Sequence, residues 1–165
     1  MEQLGTKSAA NTVNIDIENR VPLETFQFIV IRVGSEQYGI DIRYIDNIVR
    51  MQVVTRVPKV PAYLKGVINL RGEVIPVMSI RLKMGLEADE ITRATRIIIL
   101  KQQEGNVGVM VDEVKEVVTL TEEQIDKVSH ESKEGKANFI TGIGKHNNEL
   151  ISLLDLNSIT IEENV

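Results

Sequence analysis

Cysteine is absent from the 165 residues, which excludes disulfide staples, thiolate nucleophiles and cysteine-ligated metals. Tryptophan is absent too, and only three tyrosines and three phenylalanines are present. That leaves few flat faces for stacking bases, and the net charge of −5 repels a phosphate backbone, so no nucleic-acid partner is expected. No apolar run approaches the length of a membrane span, and direct membrane insertion is not expected. The N-terminus, MEQLGTKSAANTVNIDIENR, lacks the basic-then-apolar layout of a signal peptide. The chain reads as soluble and cytoplasmic. Long helical periodicity is also missing.

What is present is apolar residue in quantity, 42% of the chain, enough for one domain or two small lobes sharing a core. After a polar N-terminal tail, residues 1–24, the pattern is short β runs: FQFIVIRV, EQYGIDI, VINL, EVIPVMSI, RIIIL, NVGVMV, EVVTL, ITGI and ELISLLDL. β-branched residues fill the runs, and Gly, Asn or Glu-Gly pairs punctuate them. The best short-helix candidate begins at Thr121, where TEEQ has the form of a capping box before Ile125 and Val128.

Charge is unevenly placed. Residues 1–49 carry −3, residues 50–101 carry +6 and residues 102–165 carry −8. A body with one basic and one acidic part suits directional contact with charged partners.

The chain is written twice. YLKGVINLRGEVIPVMSI at 63 matches FITGIGKHNNELISLLDL at 139, and YGIDIRYIDNIV at 38 matches VGVMVDEVKEVV at 107. Each repeat has four or five short strands, too few to bury a large core alone. Paired small barrels would cover the edges and share apolar surface. The reading is an all-β fold of two lobes related as an internal repeat, with one or two short helices. The first lobe is placed at about 25–85 and the second at about 94–160, with strand exchange between them left open. Gly66 and Gly142 mark strands that bend or approach a neighbouring backbone closely. Pro76 cannot donate to a ladder, so its strand is expected at an edge or a bend.

The repeat serves as its own control, because features in both copies serve folding and features in one copy are free for function. At the hairpin tip Arg71-Gly72 corresponds to Asn147-Asn148. Gly72 and the asparagines tolerate the positive φ of a tight turn. Arginine is not needed for that, and its five donors suit a partner's carboxylate or carbonyls. The residues alone leave this open against a solvating role or a pair with Glu73. Glu73 and Glu149 repeat at equivalent turns and read as surface groups. Asp41, Asp46, Asp112 and Glu116 read as solvent-facing. Ser79 has no histidine in a recognisable pattern and is a poor nucleophile candidate. His130 and His146 lack metal-ligand spacing, and GIGK at 142–145 lacks the rest of a phosphate loop. No cofactor, metal or catalytic residue is expected.

YGIDI with IDNIV, VPKVPAYLKGVINLRGEVIPVMSIRLKMGL, GVMVDEV and FITGIGKHNNELISLLDL together resemble the CheW family of bacterial chemotaxis adaptors. The resemblance spans roughly residues 25–160, and GVINLRG is its most specific part. It implies two SH3-like five-stranded barrels and a non-catalytic adaptor. The implied partners are the regulatory domain of a CheA-type histidine kinase and the cytoplasmic tip of methyl-accepting chemoreceptors. It further implies that Arg71, Ile45 and Asn47 are receptor-binding, while Gly66, Gly72 and Gly142 keep turns and bends in shape. Kinase-binding residues are not assigned. Two positions depart from the family pattern: Asn47 stands where glutamate is frequent, which removes a charge, and Ser79 replaces a frequent aspartate. Two alternatives remain at this level, a related scaffold of an auxiliary or non-chemotaxis receptor array, and a small ligand-binding or enzymatic barrel marked by a deep pocket with convergent polar groups.

Overall fold

The computed structural model describes residues 23–129 and 138–160. His130 and all but the last two residues of the tail lie outside that range. The first repeat forms strands β1 (Thr25–Val33), β2 (Glu36–Asp41), β3 (Ile45–Arg50), β4 (Leu64–Leu70) and β5 (Glu73–Ser79), then a one-turn helix α1 (Ile80–Lys83). The second forms β6 (Arg96–Leu100), β7 (Val107–Val111), β8 (Glu113–Thr121), β9 (Ile125–Lys127), β10 (Ile140–His146), β11 (Glu149–Leu154) and helix α2 (Leu156–Thr160). The capping box at Thr121 is present, with Gln124 Oε1 accepting from the Thr121 backbone N–H at 2.9 Å. It closes a single 3-10 turn rather than a helix, because Ile125 at once pairs with Gly144 in β10.

The strands build a six-stranded sheet in the order β8-β1-β2-β11-β10-β9 and a five-stranded sheet in the order β3-β6-β7-β5-β4. Each sheet therefore takes a hairpin from the other repeat. β1–β2 completes the sheet of the second repeat, and β6–β7 completes that of the first. The two joins are parallel and match under the repeat: Leu153 pairs with Gly39, and Val77 with Gly108. A Cβ on Gly39 would lie 2.9 Å from Leu153 Cδ2, and one on Gly108 would lie 3.3 Å from Val77 Cγ2 across the join and 2.8 Å from Ile97 Cγ2 within its own hairpin. The repeated glycine thus makes room where the borrowed hairpin packs.

Exchange explains the unbroken apolar runs of β1 and β6. On β1, Phe28 and Val30 face the core of the six-stranded sheet, whereas Ile29, Ile31 and Val33 face a central core between the lobes. On β6, Ile97 and Ile99 face the core of the five-stranded sheet while Ile98 and Leu100 join the central one. A strand buried on both faces has no polar side to display. Exposing Ile29, Ile31, Tyr38 and Ile40 by pulling β1–β2 away would cost on the order of 10 kcal/mol, comparable to the whole net stability of a small domain. The lobes share one core.

The six strands against five arise from the connector after β3. Its Thr55 forms an isolated bridge to Val67, with both backbone bonds at 2.8 Å, where the second repeat has β9. Pro58 and Pro61 follow closely and cannot extend a ladder. Pro76 is not at an edge: β5 lies between β4 and β7. Counting from the closing pair Leu70–Glu73, alternate pairs exchange both bonds, and Val67–Pro76 is one that does not. The missing N–H points away from β4, and the ladder with β7 begins one residue later at Val77.

Candidate functional site

The hairpin between β4 and β5 closes through two residues in the left-handed region, Arg71 at φ 53° and Gly72 at φ 83°. The twin hairpin does the same with Asn147 at 49° and Asn148 at 65°. Positive φ at both central residues is the type I′ geometry that matches strand twist. Asn69 Oδ1 accepts from the Gly72 N–H at 3.0 Å and steadies the first turn. Arg71 is exposed, and among the described residues its guanidinium has neither a hydrogen bond nor an ion pair. Glu73 does not meet it. Beside it on β5, Val74 is 64% exposed, as is its repeat equivalent Leu150.

Ile45 opens β3 directly after a 3-10 turn, and its side chain packs against the central core. Asn47 follows a bulge in the pairing with β6. Its Oδ1 accepts from the Ile48 N–H at 2.8 Å, and its amide N–H groups have no partner among the described residues. Ile45 pairs with Leu100, Leu100 with Val107, and Val77 with Gly108. The register therefore sets the Arg71 tip and Ile45 toward the same end of the sheet, with β6 and β7 between their strands. No hydrogen bond or ion pair joins them.

Gly66 carries φ +145°, and a Cβ there would fall 2.1 Å from the Thr55 carbonyl oxygen. The position holds the connector against β4 and leaves no space for a side chain. Gly142 sits at the equivalent bulge without a positive φ, and a Cβ there would lie 3.0 Å from the Asp126 carbonyl oxygen.

Sequence reasoning missed three features. The first is a groove of about 810 Å³ on the lobe of the five-stranded sheet. Buried Met110 and half-buried Met51, Val54 and Leu64 make its apolar floor, and the exposed Val57 and Ile91 line it. Arg56, Lys59 and Lys65 line it as well, and none of the three has an ion pair among the described residues. Its charged groups are all cations, so it brings no nucleophile and base together. The signal in the sequence is the pair Pro58 and Pro61 set among apolar residues that belong to no strand.

The second is Asp112, which is not solvent-facing. Its side chain is 11% exposed where the chain crosses from β7 into β8. It accepts from Arg81 Nε at 2.8 Å and Nη2 at 2.5 Å, from the Gly34 N–H at 2.9 Å, and lies 3.5 Å from Arg32 Nη1. Arg81 belongs to α1, whereas Arg32 lies on β1 of the six-stranded sheet and Gly34 in the β1–β2 turn, so one carboxylate ties the lobes together. Burial alone would raise its pKa. The Arg81 and Gly34 hydrogen bonds and the two guanidinium charges outweigh that and hold it below the usual carboxylate range. The third is the environment of Ser79, fully buried and hydrogen-bonded to Asp89.

Charge divides between the lobes. Residues 42–111, around the five-stranded sheet, carry eleven basic and six acidic groups; the described remainder carries four basic and eleven acidic. His146 is half-buried beside Asn147, and no group of metal-ligating side chains occurs among the described residues. No described helix is long and apolar enough to cross a membrane.

The CheW-like domain description matches residues 27–163. Chemotaxis protein CheW of Helicobacter pylori is 38% identical over 136 residues, covering 82% of this chain and 82% of that one. Chemotaxis protein CheW of Bacillus subtilis is 36% identical over 137 residues, covering 83% and 88%. In three dimensions the chain is similar to the scaffolding protein TtCheW from Thermoanaerobacter tengcongensis, with a TM-score of 0.74 and 28% identity over 81% of this chain and 90% of that one.

Proposed function

This chain belongs to the CheW-like domain family and is a chemotaxis scaffold that couples receptors to a CheA-type kinase; from that premise we propose how its surfaces divide the work. Arg71, Ile45 and Asn47 meet the cytoplasmic tip of a methyl-accepting chemoreceptor. The apolar groove edged by Arg56, Lys59 and Lys65 takes the regulatory domain of the kinase. The protein acts without catalysis, in the cytoplasm, and reaches the membrane array only through these partners.

One observation carries the receptor assignment. Arg71 holds a left-handed position that asparagine fills in the twin hairpin, and its guanidinium has no hydrogen bond or ion pair among the described residues. An exposed cation kept at a conformational cost, next to the exposed Val74, is suited to a partner that offers carboxylates or helix carbonyls beside an apolar strip. Asn47 adds amide donors where a carboxylate would only accept. The groove offers the complementary chemistry of an apolar floor beside cations that have no ion pair among the described residues, on the basic lobe. An adaptor with two such surfaces alters kinase output only by binding one kinase state better than another.

Co-sedimentation of the full chain with a kinase regulatory domain, a receptor tip and both tests the division. Wild type is expected in a ternary complex. Arg71→Ala is expected to lose the receptor and keep the kinase. Binding of each partner alone but never both together would sink the coupling scheme.

A further inference from the structure

The segment between the repeats, residues 84–95, is not a slack connector. Leu86 packs on the central core and its N–H donates to the Arg81 carbonyl at 2.8 Å. Thr92 and Thr95 close a turn at the far end, the Thr92 N–H donating to Thr95 Oγ1 at 2.9 Å and the Thr95 N–H to the Thr92 carbonyl at 3.3 Å. Between these anchors the Asp89 carboxylate accepts from the Ser79 hydroxyl. Ile91 stands between the Asp89 tie and the Thr92 turn, 62% exposed, and borders the cationic groove. An apolar residue on a strap tied on both sides is a fixed wall.

The twin repeat shows what is unusual here. Asp155 caps α2 with its own carboxylate, accepting from the Asn157 N–H at 3.2 Å and the Ser158 hydroxyl at 2.8 Å. Both cap residues are held alike, for the Ser79 N–H donates to the Tyr63 carbonyl and the Asp155 N–H to the Phe139 carbonyl, each at 2.7 Å. Ser79 caps α1 through Oγ, which accepts from the Leu82 N–H at 3.2 Å. Its hydroxyl proton is then free to donate to Asp89. An aspartate at 79 would cap the helix equally well but would face Asp89 with a second carboxylate and repel it.

We infer that the Ser79–Asp89 hydrogen bond positions Ile91 as one wall of the groove, and that the groove so formed docks an apolar side chain flanked by carboxylates on a protein partner. The occupant follows from charge: among the described residues Arg56, Lys59 and Lys65 have no ion pair, and they surround an apolar floor. Naming the kinase regulatory domain as that partner rests on the functional reading above. Asp89 is a positioning residue, acting on the partner through Ile91.

The test pairs hydrogen exchange of the isolated full chain with titration against a kinase regulatory domain and a receptor tip. Ser79→Asp is expected to speed amide exchange across 84–95 and to weaken kinase binding about tenfold or more, with the receptor unaffected. Ser79→Asp combined with Asp89→Asn restores a donor–acceptor pair with its roles reversed, and is expected to recover both readouts. Because residue 79 is buried, Asp89→Ala provides the same loss without touching the helix cap. Unchanged exchange in Asp89→Ala would overturn the strap. Faster exchange with full kinase affinity would overturn the wall while leaving the kinase reading intact. Wild type that fails to bind the kinase domain would overturn that reading, and the docking role with it.

Discussion

In the variant Arg71→Asn, the first hairpin turn receives the residue type that its twin already carries at 147. Arg71 sits at φ 53° and Asn147 at φ 49°, so the backbone need not move. A side chain other than glycine or asparagine pays about 1–2 kcal/mol in that region, and asparagine relieves part of it through local hydrogen bonding. No intramolecular bond of the guanidinium is lost, because there is none among the described residues. The expected gain is about 0.5–1 kcal/mol, or about 1–3 °C in Tm for a chain of this size. Receptor binding moves the other way. If Arg71 is an interface anchor, its removal costs about 2 kcal/mol, about thirtyfold in Kd. Calorimetric unfolding and receptor-tip titration on the same sample read both effects. The reciprocal Asn147→Arg is expected to lose stability by a similar amount and to gain no receptor affinity. A lower Tm for Arg71→Asn would refute the left-handed argument. A higher Tm with unchanged receptor affinity would refute the recognition argument alone.

Gly66→Ala is expected to cost at least about 3 kcal/mol or to prevent folding, since both φ +145° and the Thr55 carbonyl oppose a methyl group, whereas Gly142→Ala is expected to cost about 1 kcal/mol; equal losses in urea unfolding would contradict this ranking. Asp112→Asn is expected to destabilise by about 2 kcal/mol at pH 7. The folded carboxyl titrates below its unfolded value of about 3.9, so its contribution is complete above that value and is lost as pH falls through the folded one. The gap between wild type and variant therefore narrows below about pH 4, and a gap independent of pH would argue against the Arg81–Asp112–Arg32 tie. Lys59→Glu reverses one charge beside the groove and is expected to weaken kinase-domain binding about fivefold or more, with a shallower salt dependence; equal weakening of receptor binding would argue against two separate surfaces.

The duplication, the hairpin turns and the strand runs were written in local pattern. Matching glycines, a two-residue turn between alternating apolar residues, and unbroken FIVI and IIIL segments each reflect a constraint on a few adjacent residues. The same comparison isolated Arg71, because the twin supplied an asparagine at the same backbone conformation. Tertiary structure alone decided which hairpin completes which sheet. The joins at Leu153–Gly39 and Val77–Gly108 are parallel pairings between distant segments, and an apolar run fits either partner equally well. It also turned Asp112 from an expected surface group into the tie between lobes, since Arg81 and Arg32 reach it from 31 and 80 residues away. The groove beside Ile91 was out of reach for the same reason. Its floor, its cations and its strap come from separate segments, and only packing shows that the hydroxyl of Ser79 holds the strap in place.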